Sequence, residues 1–177
     1  MHIKMLTADS PDIEMLEQIN EEAIPACERN SLKDLMATDA MVIEILEEEP
    51  VGFLVIREFK TIIYLAYLAV RRDRRCKGIG GEALRELISE YYDRMIVVEY
   101  EAPDPSSSEN DLKFRRKGFY HRNGFLESGY YTFYDDTEFE IGFAGEAFDF
   151  DLFCEFTEYL CTIVSDHIPK PYRKEYT

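Results

Sequence analysis

Residues 71–81, Arg71-Arg72-Asp73-Arg74-Arg75-Cys76-Lys77-Gly78-Ile79-Gly80-Gly81, follow the apolar run Thr61–Val70. They lead into Ala83, Leu84, Leu87 and Ile88 at helical spacing. The order is strand, basic glycine loop, helix start. Such an arrangement holds a diphosphate: glycines let the backbone come close, free N–H groups point at the oxygens, and the helix dipole favours negative charge. Arg75 to Gly80 fits the pattern [Q/R]-x-x-G-x-[G/A]. It is not a dinucleotide fingerprint: Ala83 is allowed at the third glycine position, but the acidic partner at the next strand end is missing. Nor does G-K-[ST], the mark of a nucleoside-triphosphate loop, occur.

The charge pattern isolates this loop. The chain of 177 residues carries a formal charge of −16, yet ten of its 20 Lys/Arg lie in Arg71–Lys77 and Lys113–Arg122. The rest of the molecule holds the other ten against 35 of the 36 Asp/Glu, which argues against nucleic acid or an anionic membrane as partner. A cationic substrate suits that surface, as does plain solubility. With 46% hydrophobic and 32% charged residues the composition is that of a soluble globular protein. The N-terminus MHIKMLTADSPD lacks a signal-peptide pattern and no run is long enough for a membrane span, so a cytoplasmic location is expected. Cys27, Cys76, Cys154 and Cys161 have no metal spacing and read as free thiols; His2, His121 and His167 are scattered, so no metal site is expected.

The elements that must position the loop follow from periodicity. His2–Leu6 reads as a strand. Ser10-Pro11-Asp12 starts a helix carrying Ile13, Leu16, Ile19 and Ala23, and a second helix covers Ala26–Met36. Met41–Glu47, Val51–Phe59 and Thr61–Val70 form an antiparallel meander. A helix over Gly81–Tyr92 and a strand over Met95–Glu101 then make a βαβ unit, hence a parallel pair with a right-handed crossover. Glu109–Arg122 is helical up to the stop Asn123-Gly124, and strands Phe125–Tyr134 and Glu138–Phe143 follow. Asp151 can cap a last helix with Leu152, Phe156, Tyr159, Leu160 and Ile163 on its apolar face. The fold class is α/β with a mixed sheet of about seven strands, antiparallel in its first half, in one domain over residues 1–177.

Two stretches together carry a family resemblance. LAVRRDRRCKGIG at 68–80 resembles the acetyl-CoA loop of the GNAT acyltransferase superfamily, and FYHRNGF at 119–125 is similar to its second signature, aromatic–Tyr–x–x–x–Gly–Phe. The resemblance is good over about residues 40–135 and holds only in outline over the last forty. It implies a GNAT-like fold with core motifs at 61–125, C-terminal strands and helix at 125–166, and a parallel pair splayed at the cofactor. It also implies transfer of an acetyl group from acetyl-CoA to a primary amine, without a metal. Leu68, Ala69 and Val70 would offer backbone groups to the pantetheine arm, and an N–H near Ala69 would hold the thioester oxyanion. Arg75, Cys76, Lys77, Gly78, Ile79, Gly80 and Gly81 would hold the diphosphate. Tyr120 would protonate the leaving thiolate.

Each role has a plainer alternative. Tyr120 could be a packed aromatic beside Phe119. Glu99 aligns best with the family's general base; Glu101, two residues on and on the same strand face, is the other candidate, and both could be solvated strand-end charges. Lys113 stands where many relatives carry Asn; with Arg115 and Arg116 it could meet cofactor phosphates or form a solvated helix face. Tyr130, Tyr131 and Tyr134 could line an acceptor pocket or simply alternate along a half-buried strand. The rival functions are transfer of another acyl group and a non-catalytic acyl-CoA sensor. The aromatic last strands and terminal helix could make a homodimer contact.

Overall fold

A computed structural model of the chain describes residues 1–26, 28–104, 106, 108, 111–134, 136–164 and 168–174. Cys27, His167 and the start of the helix expected at Glu109 lie outside them. Contacts divide the chain into two compact units, Met1–Glu58 with Tyr64–Glu90 and Phe59–Ile63 with Tyr91–Thr177. Strands β3 (Pro50–Phe59) and β4 (Ile62–Val70) contribute to both. Strands numbered in chain order are hydrogen-bonded as β1-β2-β3-β4-β5-β7-β6-β8, a mixed sheet in which β4 and β5 are parallel and the other neighbours antiparallel.

In the first unit, β1 (His2–Met5) pairs with β2 (Ala40–Leu46), and β2 pairs with β3. Helix α1 (Ile13–Ala23) buries Ile13, Leu16 and Ile19, the positions its periodicity marked, against Val42, Phe53 and Val55 of the sheet. The second helix is shorter than the sequence suggested. It covers only Leu32–Met36, because the Ser31 side chain accepts the Asp34 N–H at 3.0 Å and fixes the start there. Helix α3 (Ile79–Glu90) begins two residues earlier than expected, so Ile79 and Gly80 belong to its first turn.

In the second unit the start of β4 runs beside β5 (Met95–Glu101): the Met95 N–H donates to Thr61 O at 2.9 Å. Strand β7 (Thr137–Ala144) pairs antiparallel with β5, and β6 (Leu126–Tyr134) pairs with β7. The register of β6 slips between Glu127, which faces Gly142, and Tyr131, which faces Glu140; Gly129 there has φ of +79°. A two-residue strand absent from the sequence reading, β8 (Tyr172–Arg173), lines up with Tyr130 and Tyr131. Helix α5 (Phe150–Ile163) is capped by Asp149 rather than Asp151, its carboxylate accepting the Leu152 N–H at 3.0 Å. An aromatic chain runs along it, with Phe143–Phe148, Phe148–Phe153 and Phe153–Phe156 centroids 5.7, 5.6 and 5.9 Å apart. Among the described residues no helix is long and apolar enough to cross a membrane.

Gly142 opens space for a ring next to the candidate site. A Cβ there would stand 2.9 Å from Tyr100 Cε1 and 3.4 Å from Val98 Cγ1. Tyr100 is fully buried and cannot swing aside. Gly142→Ala is therefore expected to cost roughly 1–3 kcal/mol by overpacking, read from urea unfolding. An unchanged midpoint would contradict this packing.

Candidate active site

The glycine loop begins where β4 ends. The Arg71 N–H donates to Val51 O at 2.8 Å, extending the β3–β4 ladder by one residue, and a single 3-10 turn, Arg72–Arg74, follows. Cys76 and Gly78 take left-handed backbone conformations, φ +62° and +86°. Only glycine adopts such a φ without strain, and a Cβ at Gly78 would meet no atom within 4 Å, so the turn is open. The first intrahelical bond of α3 runs from the Glu82 N–H to Gly78 O at 2.9 Å. The N–H groups of Ile79, Gly80 and Gly81 precede it and have no acceptor within the helix. With the dipole of α3 behind them, they point out of the helix start, a geometry that suits an anion.

The basic residues around the turn divide into two groups. The Arg71 guanidinium lies 2.8 Å from Glu49 and 2.8 Å from Asp73, and Arg74 lies 3.1 Å from Glu47. The Asp73 carboxyl is held below its ordinary range, first by its hydrogen bond from Arg71. Arg72, Arg75 and Lys77 are exposed. Arg75 also acts as a clasp, since its Nε donates to Val70 O at 2.9 Å and ties the loop back to the strand that feeds it. The Val70 carbonyl, expected to be offered to a ligand, is thus engaged within the chain.

The second motif forms a turn that locks one side chain. Tyr120 lies in α4 (Leu112–Arg122), and its carbonyl accepts both the Asn123 N–H at 3.0 Å and the Phe125 N–H at 3.2 Å. The Asn123 side-chain amide donates to Phe119 O at 2.8 Å, and Gly124 supplies φ of +95°. The Tyr120 ring is stacked on Tyr100, centroids 5.4 Å apart and 14° between planes, and meets Phe119 and Phe125 edge-on, each at 5.4 Å. Burial pushes its phenol up to about 12, against a weak opposite pull from Arg116. Tyr120 is therefore both packed and protonated.

The two acidic residues of β5 have different neighbours. Glu99 accepts a short hydrogen bond from the Thr132 hydroxyl of β6. Burial, and then the charge of Glu99, push the nearby Tyr134 phenol upward. Glu101 pairs with Lys113 at 2.9 Å and Arg116 at 3.7 Å, so these two cations face a carboxylate of their own chain.

Comparison with known proteins joins these features. A family model described as "Acetyltransferase (GNAT) domain" matches residues 37–127, which span β2 to the start of β6 and contain both motifs. The chain belongs to the GNAT acetyltransferase family. A GNAT-family protein from Bacteroides thetaiotaomicron is similar in structure, with a TM-score of 0.75 and 24% identity over 94% of this chain and 99% of that one. The ribosomal-protein-S18-alanine N-acetyltransferase of Escherichia coli gives 0.60 at 16% identity, covering 84% and 96%. The aminoglycoside 6'-N-acetyltransferase of Enterococcus faecium gives 0.61 at 17%, covering 81% and 96%. At these identities the structures establish the fold. No curated protein matches the sequence.

One residue of this GNAT domain that the sequence reading passed over is Gly52. A Cβ at that position would fall on the Ala69 carbonyl oxygen, well inside van der Waals contact, and 3.2 Å from Val70 Cα. A glycine inside a strand, between Val51 and Phe53, is itself a signal of close backbone approach. Here it lets the last residues of β4 lie where they do. Gly52→Ala must shift Ala69 and Val70, so at least a tenfold weaker affinity for coenzyme A is expected in calorimetry, about 1.4 kcal/mol. Wild-type affinity in a folded variant would show that this approach does not govern cofactor binding.

The Tyr120 phenol yields a pH prediction. Its folded-state value lies above the unfolded one of about 10, so its stabilisation is complete below about pH 10 and is lost as pH rises through about 12. Between about pH 9 and about pH 12, Tyr120→Phe should lose roughly 2–3 kcal/mol less stability in urea titrations than the parent chain. Equal losses would show that Tyr120 titrates as an ordinary phenol.

Proposed function

We propose that the chain moves an acetyl group from acetyl-CoA to a primary amine by direct attack in a ternary complex. The observation that carries this reading is the open turn Gly78–Gly81, whose amides at the start of α3 suit a diphosphate, in a GNAT domain that also keeps the Tyr120 motif. The residues fit the donor: Gly78 leaves room for oxygen atoms, Arg75 and Lys77 are exposed beside it, and Leu68 to Val70 lead the backbone to the turn. A GNAT family protein from Elizabethkingia anophelis with acetyl-CoA bound and an aminoglycoside 6'-acetyltransferase complexed with coenzyme A share the fold, which supports acyl-CoA as donor.

In this reading the amine lone pair attacks the thioester carbonyl carbon, and a backbone N–H near Ala69 stabilises the oxyanion. Collapse breaks the C–S bond. Glu99, oriented by Thr132, takes the proton the amine nitrogen loses, directly or through water. Tyr120 would stand near the departing sulfur, as the family resemblance implies. With a phenol near 12 and a thiol near 8.5, complete proton transfer would be uphill by roughly 5 kcal/mol. Tyr120 therefore stabilises the thiolate by a hydrogen bond, and the proton that completes coenzyme A comes from solvent as the product leaves. The acidic surface favours a cationic acceptor.

Thiol release over a panel of primary amines tests the reading. Tyr120→Phe should keep coenzyme A affinity while kcat falls about 10²-fold, and Gly80→Asp should abolish binding by adding a carboxylate to the anion site. Cofactor binding with no thiol release for any amine would instead identify a sensor. Tight binding by the Gly80→Asp variant would contradict the placement of the diphosphate.

A further inference from the structure

The second unit holds a groove of ≈ 760 Å³ formed by residues after β5, the start of α4 and the β6–β7 hairpin. One wall is Tyr131 and Glu138, and into it reaches Lys174 from just beyond β8. The Lys174 ammonium lies 2.5 Å from Glu138 Oε2 and 4.2 Å from the centre of the Tyr131 ring. Tyr172 reinforces the site, its hydroxyl donating to Glu138 Oε1 at 2.6 Å. A carboxylate and an aromatic face converging on one nitrogen are the elements that recognise an alkylammonium.

Charge decides the sign of what the groove takes. Lys113 and Lys117 also line it, but neither is available to an anion: Lys113 faces Glu101 at 2.9 Å, and Lys117 donates to both oxygens of buried Glu140 at 2.9 Å and lies 2.8 Å from Glu127. Once Lys174 leaves, Glu138 loses its cation, with Asp104 and Asp136 in the same lining. Burial works against ionisation of Glu138, yet Lys174 and Tyr172 outweigh it and hold its carboxyl below the usual range. The tail meets the sheet edge through a strand of two residues, the Tyr172 hydroxyl and the buried Pro171, whereas Lys174 lies beyond them and is exposed.

We propose that this groove binds a small alkyl diamine, one ammonium seated on Glu138 and Tyr131, and that the chain's own Lys174 occupies that seat as a displaceable plug. The second ammonium would be drawn to the other acids of the lining, Asp136 and Asp104, the latter already accepting from the Ser106 N–H and hydroxyl at 2.8 and 2.7 Å. This holds whether or not the acyl-transfer reading above is right, because it concerns binding alone.

Calorimetry with 1,5-diaminopentane on the full chain tests it. Lys174→Met should bind the diamine at least tenfold tighter than the parent, and adding Glu138→Gln or Tyr131→Leu to that variant should remove the gain. No gain in Lys174→Met, or a gain that survives Glu138→Gln, overturns the proposal, as does inorganic phosphate binding to the parent groove and being lost in Lys174→Met. If Lys174→Met fails to fold, hydrogen exchange on the parent chain decides. Saturating diamine should speed exchange of the amides in Tyr172–Lys174, and unaltered exchange overturns the plug.

Discussion

Five cations gathered before a helix N-terminus repel one another and the positive end of the helix dipole. The loop after β4 can keep its shape because Glu47, Glu49 and Asp73 stand against Arg71 and Arg74. These pairs are partly exposed at the surface, and each adds little to stability by itself. Their effect is local. They offset Arg71 and Arg74 and leave Arg72, Arg75 and Lys77 exposed in the segment that leads to Gly78. In a molecule of charge −16, the proposed diphosphate site would depend on a few acids being placed beside Arg71 and Arg74 rather than beside Gly78.

The second unit solves a different problem, holding one phenol in a fixed place with its proton on. The Asn123-Gly124 turn binds the end of α4 to the start of β6 through the Tyr120 carbonyl, while Tyr100 and Phe125 close on the ring. Gly142 makes room for Tyr100 in turn. Such positioning suits a group that acts by a directed hydrogen bond, and the high phenol value keeps the donor form populated at any physiological pH.

Much of this was legible in the amino-acid order because it is local. The β-branched run of β5, the apolar spacing of α1, the glycine turn and the Asn-Gly stop are each decided within a few residues, and each stands where periodicity put it. What could not be read depends on distant partners. The pairing of Arg71 with Glu49 and of Arg74 with Glu47 needs β3 and the loop in register, so the sequence showed a cluster of five cations without showing that two are ion-paired and Arg75 is tied to Val70 O. Strand β8 has only two residues and no pattern, since it exists through its alignment with β6. Gly52 carried a signal, a glycine within a strand, but its reason, the Ala69 carbonyl, lies on the neighbouring strand. The Asp149 cap was missed by two residues because two aspartates compete and only the Leu152 N–H selects between them.

The slip in β6 has a consequence for the two faces of this sheet. Between Glu127 and Tyr131 the strand carries two residues more than its partner, and an even excess preserves which side each following residue faces. Thr132 therefore stays turned toward Glu99, and Tyr131 toward the groove. A one-residue shift of the pairing beyond that stretch would exchange them, leaving the carboxylate without its hydroxyl and the groove without its aromatic wall.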